Sequence, residues 1–201
     1  MELFFSPLPE GGRTAGIFLD RDGVINERIW GGYVTQWHEF RFVPGILNTL
    51  RDLARYPIPL IVVSNQAGVG KGLVQESALE ALTRQFVARI QDCGGRIDAV
   101  YYCTHTPESR CGCRKPQPGL LRRAASDWFV DLSASVLIGD SSSDVEAAAA
   151  ADCHAILVDP STPSLSVPST LHARTVEEIA RYVRCCLQMR PALRPTLSSD
   201  C

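Results

Sequence analysis

Five short apolar runs, at 16–19, 60–63, 99–102, 135–138 and 155–158, are each bounded by polar or turn residues. Continuous runs of this kind, rich in Val, Ile and Leu, are the mark of strands buried on both faces. Helical patterns separate them at 45–55, 75–91, 118–128 and 142–151. A last one, at 176–188, follows a linker rich in Pro and Ser at 160–168. Strand alternating with helix predicts an α/β fold: a doubly wound, Rossmann-like parallel sheet with helices on both faces. The expected organisation is one domain over 1–189 and a flexible tail at 190–201, where two prolines and two serines interrupt the pattern.

The 201 residues suffice for such a core, burying about two-thirds of the unfolded surface. The 20 Lys and Arg against 22 Asp and Glu, net −2, argue against nucleic acid or an anionic membrane as partner. No apolar run reaches the ~18–20 residues of a membrane span. Residues 1–12 have neither the basic opening nor the sustained apolar stretch of a secretory signal. A soluble, cytoplasmic monomer is expected.

Three of the runs end in polar chemistry. Asp20-Arg21-Asp22-Gly23 follows the first, Ser64-Asn65-Gln66 the second and Gly139-Asp140 the fourth. Ligands of open α/β sheets bind at the carboxyl ends of the strands, near the switch in strand order. Carboxylates and a hydroxyl gathered there suit a hard cation and a phosphate group. Asp20 can offer its carboxylate to a metal and to phosphorus, and Asp22 is close enough to exchange a proton with the reacting oxygen. The plainer reading makes these aspartates turn or capping residues. Asp144 divides in the same way between the metal site and capping of the 142–151 helix.

Of eight cysteines, only Cys103, Cys111 and Cys113 cluster, and they cluster around His105. Three thiolates and one imidazole make a closed tetrahedral set for Zn²⁺, with no open position for an activated water, so the 103–113 loop is expected to be structural. A redox disulfide between Cys111 and Cys113 is the alternative. Cys93 and Cys153 suit small buried sites, while Cys185, Cys186 and Cys201 form no recognisable spacing. His38, His154 and His172 have no partner pattern. Trp30, Trp37 and Trp128 suit core or rim positions.

The segment 18–26, Ser64-Asn65-Gln66, Lys115, and Gly139-Asp140 with Asp144 resemble, in order and spacing, the four motifs of the haloacid dehalogenase-like phosphatases. The resemblance spans roughly residues 15–160. It implies that Asp20 is a nucleophile that becomes an aspartyl-phosphate and that Asp22 is the general acid, then base. Ser64 and Lys115 would hold the phosphoryl group, and Asp20, the Asp22 carbonyl and Asp140 would hold Mg²⁺. The segments between motifs are too short for a separate cap domain. A binding module without turnover would not need all four catalytic positions filled with competent residues.

The Cys103-Thr104-His105 and Cys111-Gly112-Cys113-Arg114-Lys115-Pro116 segments resemble two groups within that family, the heptose 1,7-bisphosphate phosphatases and the histidinol-phosphate phosphatases. Gly32-Tyr33-Val34 and the 65–72 segment resemble the heptose group more closely, implying that Gly32, Tyr33, Asn65 and Gln66 meet the substrate. Arg114, directly before Lys115, is expected to reach the substrate's non-reacting end. Three positions depart from the group: Val24 for Thr, Lys71 for Arg, and Ser141 for a substrate-binding Lys. The expected reaction is removal of the C7 phosphate of a heptose 1,7-bisphosphate. Arg28, Lys71, Arg110 and Arg114 suit a second phosphate; Glu27, Glu39 and Glu108 would suit the amine and imidazole of histidinol phosphate.

Overall fold

The computed structural model describes residues 1–7, 12–158 and 170–188. The expected linker at 160–168 and the tail at 190–201 lie outside them. Among the described residues, seven strands form one sheet: β1 (Glu2–Phe4), β2 (Ile17–Leu19), β3 (Leu60–Asn65), β4 (Ala99–Cys103), β5 (Val136–Gly139), β6 (His154–Val158) and β7 (Thr170–Ala173). Their spatial order is β1-β4-β3-β2-β5-β6-β7. All pairings are parallel except β1 with β4. The helices are α1 (Ile46–Leu53), α2 (Ala67–Gly70), α3 (Glu76–Asp92), α4 (Gly119–Asp127), α5 (Ser142–Ala150) and α6 (Glu177–Gln188). The doubly wound fold read from the sequence is therefore the one observed, with element ends shifted by at most two residues. β1, β7 and the four-residue α2 were not expected.

Alternate strand residues face opposite layers, as the two-residue strand period demands. Ile17, Leu19, Leu60, Val62, Val136 and Ile138 pack with Leu50 of α1, Phe86 of α3 and Val183 of α6. Phe18, Ile61, Val63 and Leu137 face the other way, onto Leu121 of α4 and Ala147 of α5. In α3 the buried positions Leu79, Leu82, Thr83, Phe86, Val87 and Ile90 recur at helical spacing, so one stripe of the helix faces the sheet. Among the described residues no helix is long and apolar enough to cross a membrane.

The order of strands places the site. From β2 the chain winds outward through β3 and β4, then returns to the other flank of β2 for β5. The carboxyl ends of β2, β3 and β5 thus stand side by side at the switch point, where a crevice opens.

Candidate active site

Asp20 leaves the end of β2 almost fully buried, with its N–H bound to the Ile138 carbonyl of β5 at 2.8 Å. Its carboxylate receives the Arg21 N–H at 2.7 Å and lies 3.1 Å from the Lys115 ammonium. Lys115 Nζ also reaches Asp144 Oδ1 at 2.5 Å and donates to the Val63 carbonyl at 2.9 Å. Burial alone would lower the Lys115 pKa, but Asp144 and Asp20 outweigh it and hold the ammonium above its ordinary value. Burial raises Asp20, with Lys115 and a Ser64 hydrogen bond opposing. The result is a buried carboxylate in contact with a fixed ammonium, where electrostatic interactions are strong.

Asp22 is held differently. Arg21 Nη2 donates to both carboxylate oxygens at 2.9 and 3.0 Å, Asn26 Nδ2 to one at 2.9 Å and Gln66 Nε2 to the other at 2.7 Å. Burial would raise its pKa, but the Arg21 charge and these donors prevail and lower it. Arg21 is fully buried, 5.9 Å above the Tyr102 ring. The cage around Asp22 escaped the sequence reading, which took Arg21 and Asn26 only as parts of a motif. Gln66, expected to touch substrate, is buried beneath Asp22 and also donates to Ser64 Oγ at 3.3 Å.

Asp140, at the end of β5, brings a third carboxylate into reach of Asp20 and Asp144; one oxygen from each lies within 4.8 Å of the others. Burial pushes the Asp140 carboxyl up to about 7, against the pull of Arg28. Gly23, with φ +90°, passes so close that an added Cβ would stand 1.8 Å from Asp140 Oδ2. Arg28 Nη2 pairs with Asp140 Oδ1 and lies 3.4 Å from the Asp22 carbonyl oxygen. Hard oxygen donors gathered around a spot that already draws a cation fit Mg²⁺. Asp144 also forms a capping box with Ser141, so the two roles read for it, capping and a place beside the metal site, are compatible in one side chain.

Cys103 ends β4, and His105, Cys111 and Cys113 return to it from the following loop. Five of the six Sγ and Nδ1 separations among the four run from 3.2 to 3.7 Å, and one ligand atom from each residue lies within 4.8 Å of the others. Metal–ligand bonds of roughly 2.0–2.3 Å at tetrahedral angles require edges of about this length, whereas a disulfide would bring two sulfurs to ~2.05 Å. The set can hold a metal ion. Gly119 opens α4 against this loop, donating to the Gly112 carbonyl at 3.0 Å; an added Cβ would meet that oxygen at 2.2 Å.

A cavity of about 510 Å³ opens above these groups. Asp20, Asp22, Ser64, Asn65, Lys115, Gly32, Tyr33 and Arg114, all named from the sequence, line it. So do Arg28, Trp30, Lys71 and Leu73. Trp30 is 86% exposed at the rim, whereas Trp128 is in the core. Glu27, Glu39 and Glu108 are absent from the lining. The Glu39 carboxylate turns back into its own loop, accepting from the Thr35 N–H and hydroxyl and the Gln36 N–H. Arg114 Nη1 is buried without a hydrogen-bond partner. A second cavity, of about 480 Å³, is lined by Arg13, Val130, Asp131 and Asp152, which precede β2, β5 and β6, and so belongs to the opposite end of the sheet.

Residues 112–164 match the family model described as HAD-hydrolase-like. The chain is 38% identical over 143 residues to the D-glycero-beta-D-manno-heptose-1,7-bisphosphate 7-phosphatase of Salmonella typhi, covering 68% of this chain and 75% of that one. It is also 38% identical over 152 residues to the D-glycero-alpha-D-manno-heptose-1,7-bisphosphate 7-phosphatase of Mycobacterium tuberculosis, covering 71% and 78%. Among solved structures it resembles the D,D-heptose 1,7-bisphosphate phosphatase of B. bronchiseptica, complexed with magnesium and phosphate, with a TM-score of 0.79 and 30% identity over 88% of this chain and 100% of that one. A putative HAD-like phosphatase from Mesorhizobium loti gives a TM-score of 0.81 at 25% identity, covering 94% and 93%.

Proposed function

Because this chain belongs to the haloacid dehalogenase-like phosphatases, we propose that it removes the C7 phosphate of a D-glycero-D-manno-heptose 1,7-bisphosphate and leaves the C1 phosphate in place. An Asp20 oxygen attacks the C7 phosphorus, the bond to the sugar oxygen breaks, and Asp22 delivers a proton to that oxygen. Water then attacks the aspartyl-phosphate while Asp22 takes its proton, releasing inorganic phosphate and restoring Asp20. Ser64 and Lys115 bind the phosphoryl oxygens throughout, and phosphoryl transfer depends chiefly on such positioning and neutralisation. Mg²⁺, held by Asp20, the Asp22 main-chain carbonyl and Asp140, would supply further charge neutralisation when bound.

The observation that carries the substrate is the sign of the cavity wall. Beyond the reacting floor it presents Arg28, Lys71 and Arg114, and none of the three glutamates that would suit histidinol phosphate. The unpartnered Nη1 of Arg114 suits the far phosphate, since guanidinium pairs well with phosphate. Gly32 and Tyr33 complete the substrate side, and Asn65 lines the cavity with its amide bonded to the Lys115 main chain. The Cys103, His105, Cys111 and Cys113 set is assigned to a structural Zn²⁺ that fixes where Lys115 enters.

Steady-state kinetics with both anomers of the bisphosphate, histidinol phosphate and an aryl phosphate test the reading. The bisphosphate should have the highest kcat/KM, and Arg114→Ala should raise its KM far more than that of the aryl phosphate. A higher kcat/KM for histidinol phosphate would leave the family and remove this substrate.

A further inference from the structure

Arg28 occupies an unusual place for a residue on a half-open loop. Its Nη2 lies against Asp140 Oδ1 and 3.4 Å from the Asp22 carbonyl oxygen, two of the three oxygens assigned to Mg²⁺. Its Nε is buried and has no hydrogen-bond partner, so the side chain reaches this position by charge attraction rather than by a completed set of donors. The guanidinium carbon stands 5.7 Å from the ring of Trp30, which is open to solvent, and both residues line the substrate cavity. Lys71 stacks on Tyr33 and Lys115 is pinned between Asp20 and Asp144, so neither can take the position of Arg28.

We propose that Arg28 and Mg²⁺ are alternative occupants of one seat, and that Arg28, once displaced, turns its guanidinium to the substrate's phosphate. The proposal rests on the metal assignment made above. Two cations sharing Asp140 and the Asp22 carbonyl repel each other at contact distance, so one must leave. Arg28 is tethered and cannot diffuse away. Its short route from Asp140 leads along the Trp30 face into the cavity, where Nε and Nη2 become free to donate. Entry of the metal thereby adds a second cation to the substrate side as well as the ion itself.

Calorimetric titration of the metal-free protein with Mg²⁺ alone tests the first half, using wild type, Arg28→Gln and Arg28→Lys. Arg28→Gln should bind Mg²⁺ about tenfold more tightly than wild type, the scale of one partly screened charge pair, and Arg28→Lys should fall between. Titration of the Mg²⁺-loaded proteins with inorganic phosphate tests the second half, and here Arg28→Gln should bind about tenfold more weakly. Unchanged or weakened Mg²⁺ affinity in Arg28→Gln overturns the shared seat, and unchanged phosphate affinity overturns the turn toward substrate. No Mg²⁺ binding by any of the three proteins overturns the metal assignment and this inference with it, an outcome distinct from the first two.

Discussion

Asn65 grips the main chain of Lys115 with both ends of its amide: Nδ2 donates to the Lys115 carbonyl at 3.0 Å, and Oδ1 accepts from the Lys115 N–H at 3.1 Å. From the carboxyl end of β3 the side chain docks the loop that carries Lys115. Replacing it with Ala removes both bonds and leaves polar main-chain groups unpaired in a part-buried place, at about 1–3 kcal/mol. Asn65→Ala should lower kcat more than it raises KM, because Lys115 loses its register against Asp20. Thermal melting together with kcat and KM on an aryl phosphate checks both expectations.

Asp20→Asn should abolish turnover, since an amide is not a nucleophile toward phosphorus. Asp22→Asn should retain substrate binding yet lose the proton transfer, a step worth about 10²–10⁴-fold. Intact-mass measurement after rapid mixing with an aryl phosphate, whose leaving group departs without a proton from Asp22, should show a phosphoryl adduct on Asp22→Asn and none on Asp20→Asn. Turnover by Asp20→Asn above a few per cent would contradict the covalent route.

Gly23 has no room for a side chain. Its φ of +90° disfavours any L residue, and a Cβ would fall 1.8 Å from Asp140 Oδ2. Gly23→Ala should displace Asp140, weaken Mg²⁺ binding measurably by titration and lower activity at limiting Mg²⁺, with partial recovery as Mg²⁺ is raised.

Freshly purified protein should contain one zinc per chain by elemental analysis. Brief EDTA should stop activity, and added Mg²⁺ should restore it while the zinc stays bound. Cys111→Ser should lower the melting temperature more than it changes kcat in the protein that remains folded. Gly119→Ala, whose Cβ would strike the Gly112 carbonyl and stand 2.8 Å from Cys113 Cα, should loosen the same loop without replacing a ligand. Absence of zinc or any other thiophilic metal would contradict the assignment.

The central strands were legible because each is an unbroken apolar run, and the polar groups at their ends were legible because Asp20 and Ser64 stand directly after those runs and Asp140 one residue beyond. β1 and β7 were not, because three- and four-residue edge strands are defined by partners far away in the chain: Leu3 pairs with Val100, and Leu171 with Ile156. The donors around Asp22 were illegible for a related reason. Gln66 reaches it across 44 positions, and no local spacing announces which of two adjacent amides will hold the Lys115 main chain and which an aspartate. Glu39 shows the converse. It read as an available carboxylate, but it closes a turn with Thr35 and Gln36.

The placing of β2 has a consequence for biosynthesis. This strand, which delivers Asp20 and Asp22, pairs only with β3 and β5, and the Gly16 N–H just before it bonds Ser135 Oγ across 119 positions. During vectorial synthesis β2 can pair with β3 as soon as that strand is made, but its other flank stays open until β5, more than a hundred residues further on, is made. The nascent chain therefore carries an apolar strand with one open flank until β5 arrives, an exposure that favours chaperone capture or misassembly. The same delay holds Asp20 apart from Asp140 and Asp144, so the carboxylate cluster can form only once β5 and the helix after it have been made.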